Sequence, residues 1–380
     1  MTDQPTVLID VVGRIGQITL NRPASINALD HPMALSMHDA LRTWANDPAI
    51  DAVVVAGAGE RGLCAGGDIA AIHRDASKLS SGGGGDDAAT ANSPSGRFWA
   101  DEYRLNLDIS TYPKPYVAIM DGIVMGGGVG ISAHGNTRVV TDRTRLAMPE
   151  VGIGFVPDVG GTFLLARVPD QLGTYAALTG GTLSGADAIA MGLADHYVPA
   201  ENLDAFRDSI VSDGVDAALS RYAVTPPAST LDAERDWIRE AFAADTVSEI
   251  IEGCRAVGVE SADRAADRIA SKSPASLAAT LYALRHKESD LAQTLRREYR
   301  VSLRFLQHPD MAEGIRAQVI DKDRTPAWTS DHASAAASLD AVFAPLPAAC
   351  ELSLETTTRL GGIECPSTRR SSPRVPMESV

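Results

Sequence analysis

Cys64-Ala65-Gly66-Gly67-Asp68 and, further along, Met125-Gly126-Gly127-Gly128-Val129-Gly130 decide how this chain is read. Each follows a short apolar run of the kind that forms a buried strand. Asp51-Ala52-Val53-Val54-Val55 precedes the first glycine box and Tyr116-Val117-Ala118-Ile119 precedes the second. The same unit of strand, glycine turn and helix therefore occurs twice, and this alternation argues for an α/β core up to about residue 200. Two separated glycine turns can aim two backbone N–H groups at one point, the minimum for an oxyanion hole. Met148-Pro149-Glu150 and Pro157-Asp158-Val159-Gly160-Gly161 follow downstream and supply two carboxylates able to move protons.

Outward from these boxes, Val7 to Val12 and Gln17 to Leu20 are short β-type runs around Gly13-Arg14-Ile15-Gly16, which predicts a hairpin. Asp30 is placed to cap a helix whose apolar residues Met33, Ala34, Met37, Ala40, Leu41 and Trp44 recur at helical spacing. Ser77 to Gly96 is low in complexity, with Gly82-Gly83-Gly84-Gly85-Asp86-Asp87 at its centre. Such a stretch offers little to bury, so a flexible surface insertion is expected there, with a lid over the site as one role. Beyond residue 200 helical patterns take over, in Leu231 to Ala241, Ala278 to Leu284 and Leu291 to Leu306. In the last of these, Leu295, Tyr299, Leu303 and Leu306 share a face. The expected organisation is a core over residues 1–200, a helical region over 201–345 and a disordered tail over 346–380, rich in Ser, Thr, Arg and Pro from about Glu351.

Composition bounds the function classes. The chain has 380 residues, 44% hydrophobic and 22% charged, which reads as globular. A formal net charge of −15 argues against a general nucleic-acid binder, which needs a basic face. Cys64, Cys254, Cys350 and Cys365 lie far apart, fitting neither a zinc site nor a disulfide framework, and no metal ligand set is expected. No apolar run reaches the ~18–20 residues of a membrane span. The start, Met1-Thr2-Asp3-Gln4-Pro5, lacks the features of a signal or transit peptide. The expectation from these observations is a cytoplasmic protein with no membrane or nucleic-acid partner.

At this point the boxes match a known family. Residues 7–200 resemble the crotonase, or enoyl-CoA hydratase/isomerase, superfamily, whose core is a spiral of ββα turns. Within it, Tyr112-Pro113-Lys114-Pro115-Tyr116-Val117-Ala118, the second glycine box, Ala147-Met148-Pro149-Glu150 and Phe155-Val156-Pro157-Asp158-Val159-Gly160-Gly161 resemble the 3-hydroxyisobutyryl-CoA hydrolases in particular. So do Asp101-Glu102-Tyr103 and Leu178-Thr179-Gly180, and in the helical region Glu313-Gly314-Ile315-Arg316-Ala317 and Ile320-Asp321-Lys322-Asp323, with Pro326 and Trp328 following. The resemblance covers about residues 7–345. It implies an α/β crotonase-type spiral with a helical C-terminal region, and hydrolysis of a short branched 3-hydroxyacyl-CoA thioester in valine breakdown. CoA enters as part of the substrate, and no cofactor is implied. Superfamily members often trimerise, so a homo-oligomer is one outcome; the long helical region folding back on its own core is another.

The resemblance also assigns residues. The oxyanion hole falls to the N–H groups of Gly67 and Gly127, and Glu150 takes the catalytic position. Burial after Pro149 would raise the pKa of its carboxyl toward a value useful for general-base work. Asp158, which on its own reads as a turn residue, faces the acyl group in the family. Glu102 is a substrate contact there. Enoyl-CoA hydratases of the superfamily carry their first catalytic glutamate at the position of Gly130, and glycine cannot transfer a proton. That subtracts hydration and leaves Glu150 with Asp158.

Other signals are weaker. Gly57-Ala58-Gly59-Glu60-Arg61-Gly62 formally fits a dinucleotide fingerprint, but it runs into another turn instead of a helix. No G-x-S-x-G elbow appears. Ser132 and His134 stand two apart and would not share a helix face, and Cys64 reads as a small buried hydrophobe. The alternatives retained are a crotonase-type isomerase or hydratase-like enzyme and a non-catalytic acyl-CoA binder.

Overall fold

The computed structural model describes residues 5–80 and 86–354. Val-rich, fully buried runs become the inner strands, because only strands covered on both faces tolerate uninterrupted apolar sequence. β1 (Val7–Val12) and β2 (Ile15–Leu20) form the antiparallel hairpin expected at the start. β2 then pairs in parallel with β3 (Ala52–Gly57), and β5 (Tyr116–Met120), β7 (Thr137–Val140) and β9 (His196–Tyr197) extend the sheet in the order β1-β2-β3-β5-β7-β9.

A second, three-stranded parallel sheet is built from β4 (Gly62–Cys64), β6 (Ile123–Met125) and β8 (Arg145–Ala147). The chain visits the large sheet, then the small one, three times in succession: β3 to β4, β5 to β6, β7 to β8. After β4 it enters helix α2 (Ile69–Ser80), and after β6 the short helix α5 (Gly127–Gly130). This is the ββα spiral, with one turn more than the two glycine boxes reveal. The third turn ends directly at Met148-Pro149-Glu150.

Helix α1 (His31–Ala45) starts where expected, with the Asp30 side chain accepting from Met33 N–H. The Ser77–Gly96 stretch departs from the loop expectation. It holds the last turn of α2, a short helix α3 (Asp87–Ala91) and the first turn of α4 (Pro94–Ser110), while residues 81–85 lie outside the described residues. Local capping overrides the low complexity. Asp86 caps α3, Ser93 caps α4, and Pro94 occupies the first helical position, where its missing N–H costs nothing. Asp75 of α2 then accepts from the N–H and hydroxyl of Ser95, tying the two helices together.

Beyond residue 200 the helices serve two faces. Leu203–Asp213 and Val215–Tyr222 bring Leu203, Phe206, Ile210, Val215 and Ala218 onto Val54, Val117, Ile119 and Val139 of the large sheet. The helices from Arg235 onward share one continuous buried cluster with the spiral, from Val7 to Leu354. The helical region therefore folds back on its own core. Residues 346–354, expected as part of a disordered tail, pack there too: Leu346, Cys350, Leu352 and Leu354 are buried, and Glu351 pairs with Arg300 at 2.9 Å. The remainder of that tail lies outside the described residues.

Candidate active site

Both glycine boxes open onto a cavity of about 310 Å³. The first box arrives from β4, and a parallel bridge between Leu29 and Gly67 fixes its height. The second arrives from β6 and turns into α5, where Gly127 is the first helical residue and has no intrahelical acceptor for its N–H. A β-carbon built on Gly127 would lie 3.5 Å from Gly67 N, and one built on Gly66 would lie 3.8 Å from Gly127 N. The two amides are thus neighbours at the cavity wall. Among the hydrogen bonds of the described residues, neither donates to a protein acceptor.

Three carboxylates meet this pair from different elements. Glu102 comes from α4, and its Oε1 would stand 2.6 Å from a β-carbon on Gly127. Glu150 opens the 3-10 turn Glu150–Ile153 immediately after Pro149, and its Oε1 would stand 2.9 Å from a β-carbon on Gly126. Asp158 lies in the following turn and lines the same cavity. All three are buried, at 2%, 5% and 5% exposure, and one oxygen each of Glu102 and Glu150 has no hydrogen-bond partner among the described residues. Burial pushes Glu150 and Glu102 well above the usual carboxylate range, with the neighbouring Asp158 charge adding to the effect. Asp158 is pushed up to about 8 by burial and by Glu298, against the pull of its hydrogen bond from Tyr103.

The rest of the wall is apolar. Ile69 and Ile72 of α2, Phe98 and Trp99 of α4, Phe155 and Val319 line it, with Trp99 stacked on Phe155 at 5.3 Å. Lys272 and Gln318 are the polar residues contributed by the helical region. The cavity thus offers two neighbouring amides, a mostly apolar wall and raised-pKa carboxylates, a set compatible with acyl transfer at a thioester.

The structure brings together every residue assigned from the sequence: Gly67, Gly127, Glu102, Glu150 and Asp158. It also explains Gly130. A β-carbon there would lie 2.6 Å from Val159 Cβ and 3.0 Å from the Asn106 amide nitrogen, so the space a glutamate would need is occupied. Cys64 is fully buried, and burial pushes its thiol up to about 12, which leaves it inert at neutral pH. Ser132 bonds back to Gly128 O, and His134 donates to Val159 O at 2.8 Å. Sequence reasoning gave no role to Tyr103, Glu298 or Ser302, which surround Asp158. Tyr103 stood within a quoted motif; Glu298 and Ser302 carry no signal that separates them from solvated positions on an amphipathic helix.

This geometry defines an acyl-thioester enzyme of ββα-spiral architecture. Residues 15–343 match the family model described as enoyl-CoA hydratase/isomerase, and the chain belongs to that family. It is 39% identical over 334 residues to the 3-hydroxyisobutyryl-CoA hydrolase, mitochondrial, of Danio rerio, covering 85% of this chain and 84% of that protein. The Homo sapiens protein of the same name is 37% identical over 334 residues, covering 85% and 83%. Among solved structures, one titled as a carnitinyl-CoA dehydratase from Mycobacterium thermoresistibile is 52% identical, with TM-score 0.86 over 93% of this chain and 99% of that one. Another, titled as an enoyl-CoA hydratase from Rhodobacter sphaeroides 2.4.1, is 37% identical, with TM-score 0.83 over 92% and 100%. The cytoplasmic expectation is corrected by the Danio rerio and Homo sapiens hydrolases, which are named mitochondrial; composition near one end of a chain does not decide its compartment. No helix among the described residues is long and apolar enough to cross a membrane.

Proposed function

We infer that this protein hydrolyses the thioester of 3-hydroxyisobutyryl-CoA to 3-hydroxyisobutyrate and CoA. The observation that carries the reading is the carboxylate set. Glu150 and Asp158 share one buried cavity with the two free amides, while Val159 and Asn106 fill the place beside Gly130. Names of curated relatives point the same way. Two solved relatives are named instead for dehydration and hydration, and hydration across a double bond is the second reading. It needs a second proton-transfer group on the far side of the acyl chain, and the crowding at Gly130 leaves no room for one at that position.

In the mechanism, the thioester carbonyl oxygen sits between the N–H groups of Gly67 and Gly127. Fixed amides stabilise the developing oxyanion without reorganising, and losing one costs ~3–4 kcal/mol. Glu150 is the base or nucleophile. It activates a water on the carbonyl carbon, or attacks that carbon itself to give an anhydride that water then opens. Glu102 and Asp158 face the acyl group, where Asp158 either orients the 3-hydroxyl or protonates the departing thiolate. Hydroxylamine trapping during turnover, followed by mass analysis of the Glu150 peptide, separates the two routes: a hydroxamate on Glu150 reports the anhydride.

The test of the function itself is release of free CoA thiol from 3-hydroxyisobutyryl-CoA, followed with a thiol-reactive dye. Rapid release that collapses in Glu150→Gln is the expected result. Recovery of the acyl-CoA rearranged, hydrated or unchanged, without thiol release, overturns the hydrolase reading.

A further inference from the structure

The helix Leu291–Gln307 belongs to the C-terminal region, yet two of its residues one turn apart bear on Asp158, Glu298 through the segment that carries it and Ser302 through Tyr103. Glu298 accepts from Gly160 N–H at 2.6 Å, from Thr162 N–H at 3.0 Å and from the Thr162 hydroxyl at 2.5 Å. Ser302 Oγ lies 2.8 Å from the Tyr103 hydroxyl, which donates to Asp158 Oδ2 at 2.8 Å. Since Tyr103 has one proton and gives it to Asp158, Ser302 donates to Tyr103. The chain of donors runs Ser302 to Tyr103 to Asp158, each bond polarising the next. Tyr103 and Ser302 are fully buried and Glu298 is 2% exposed.

The turn held by these bonds is not one the chain adopts freely. Val159 has φ +51° and Gly160 φ +77°. A β-branched residue in the left-handed region persists only where its surroundings over-determine it. Glu298 supplies three acceptances on one side of the turn, and His134 bonds Val159 O on the other.

We propose that Glu298, Ser302 and Tyr103 are positioning residues for Asp158. Glu298 fixes the backbone turn, Ser302 through Tyr103 fixes the carboxyl orientation, and the C-terminal helix thereby sets the geometry of the active site. The proposal rests on the catalytic reading of Asp158. It extends the site to a region that sequence patterning treats as accessory. The groups facing Asp158 are Glu102 and Tyr103 from α4, Glu150 from its own turn, and Glu298 backed by Arg297 from the C-terminal helix. Among these, the negative charge of Glu298 disfavours ionisation of Asp158. Removing that charge has a signature that a purely structural role would not produce.

The experiment is thiol release from 3-hydroxyisobutyryl-CoA across pH for Tyr103→Phe, Ser302→Ala and Glu298→Gln, with Asp158→Asn as reference and thermal melting of each. Tyr103→Phe and Glu298→Gln are expected to lower kcat about 10- to 100-fold, and Ser302→Ala about 3- to 10-fold, with KM within about twofold of wild type. Glu298→Gln is also expected to move the limb of the kcat profile that titrates near pH 8 to lower pH. If Asp158→Asn is inactive while Tyr103→Phe and Glu298→Gln keep the wild-type kcat and pH profile, the positioning proposal is overturned. If Asp158→Asn itself keeps the wild-type kcat, the catalytic reading of Asp158 fails and the proposal goes with it, a separate and recognisable result. Should Glu298→Gln fail to fold, Tyr103→Phe and Ser302→Ala, each lacking a single oxygen, decide: a lower kcat at an intact melting temperature supports the proposal, and an unchanged kcat overturns it.

Discussion

Gly130 and Val159 are in contact through the space a side chain would occupy: a β-carbon on Gly130 would meet Val159 Cβ at 2.6 Å. Val159 is 1% exposed and cannot swing into solvent. The absence of a glutamate at this position is thus built into the packing. Gly130→Glu is expected to destabilise the protein by more than the ~1–3 kcal/mol of ordinary overpacking, since a buried carboxylate is forced in as well. It should abolish thiol release and gain no hydration of an enoyl-CoA. A lowered melting temperature with neither activity is the expected outcome; a soluble variant that hydrates an enoyl-CoA would refute the packing argument.

Gly127 is constrained from the opposite side. A methyl group there would stand 2.6 Å from Glu102 Oε1 and 3.2 Å from Leu29 Cδ1, and 3.5 Å from the partner amide of Gly67. Gly127→Ala must push Glu102 aside or tilt its own N–H away from the carbonyl oxygen. Displacement of one oxyanion donor corresponds to a fall in kcat of about 10²–10³. The expected pattern is that loss with a modest change in KM, measured by thiol release.

How much of this was legible beforehand differs by element. The strands before Cys64 and before Met125 were readable because fully buried parallel strands are continuous apolar runs, and both glycine boxes then mark the turns. The third spiral turn was not, because Thr137–Val140 and Arg145–Ala147 are short and the latter begins with a charged residue. Gly67, Gly127, Glu102, Glu150 and Asp158 were assigned through the order of the family's motifs, and all five line the same cavity. Glu298 and Ser302 were beyond reach. Helical periodicity reports which face is apolar, and a buried carboxylate accepting three hydrogen bonds looks in sequence like a solvated one. The loop expected over 77–96 failed for a related reason: Asp86 and Ser93 cap two short helices locally, and the bonds from Ser95 to Asp75 that tie the second of these to the preceding helix join residues twenty apart, a pairing no local pattern reports.

The carboxylate cluster also fixes how stability changes with pH. Burial holds Glu298 at about 7 and Asp158 at about 8, both above their values in an unfolded chain near 4. The folded state therefore binds more protons than the unfolded state across this window. By linkage, the stability due to these groups is fully present below about pH 4 and is lost as pH rises through about 7 and then about 8. Urea midpoints measured from pH 5 to pH 9 should decline for the wild type, and Asp158→Asn should flatten the upper part of the decline. A midpoint that rises over this range, or the same slope in Asp158→Asn, would contradict the assignment.

Glu150→Gln joins function and stability in one substitution. The Glu150 carboxyl is 5% exposed, one of its oxygens has no hydrogen-bond partner among the described residues, and it faces the charges of Asp158 and Glu298. Ionising it is therefore unfavourable, and in the mechanism proposed above the fold carries that cost for the sake of a reactive carboxylate. Glutamine keeps the shape, removes the charge and cannot serve as base or nucleophile. The variant should lose thiol release to near background while melting at a higher temperature than the wild type. Its advantage should grow as pH rises, because burial and the Asp158 charge disfavour the ionised form of the native carboxyl. An inactive variant that melts lower than the wild type at pH 9 would mean that the carboxylate finds compensating partners in the native enzyme, and the strained-base account of Glu150 would have to be abandoned.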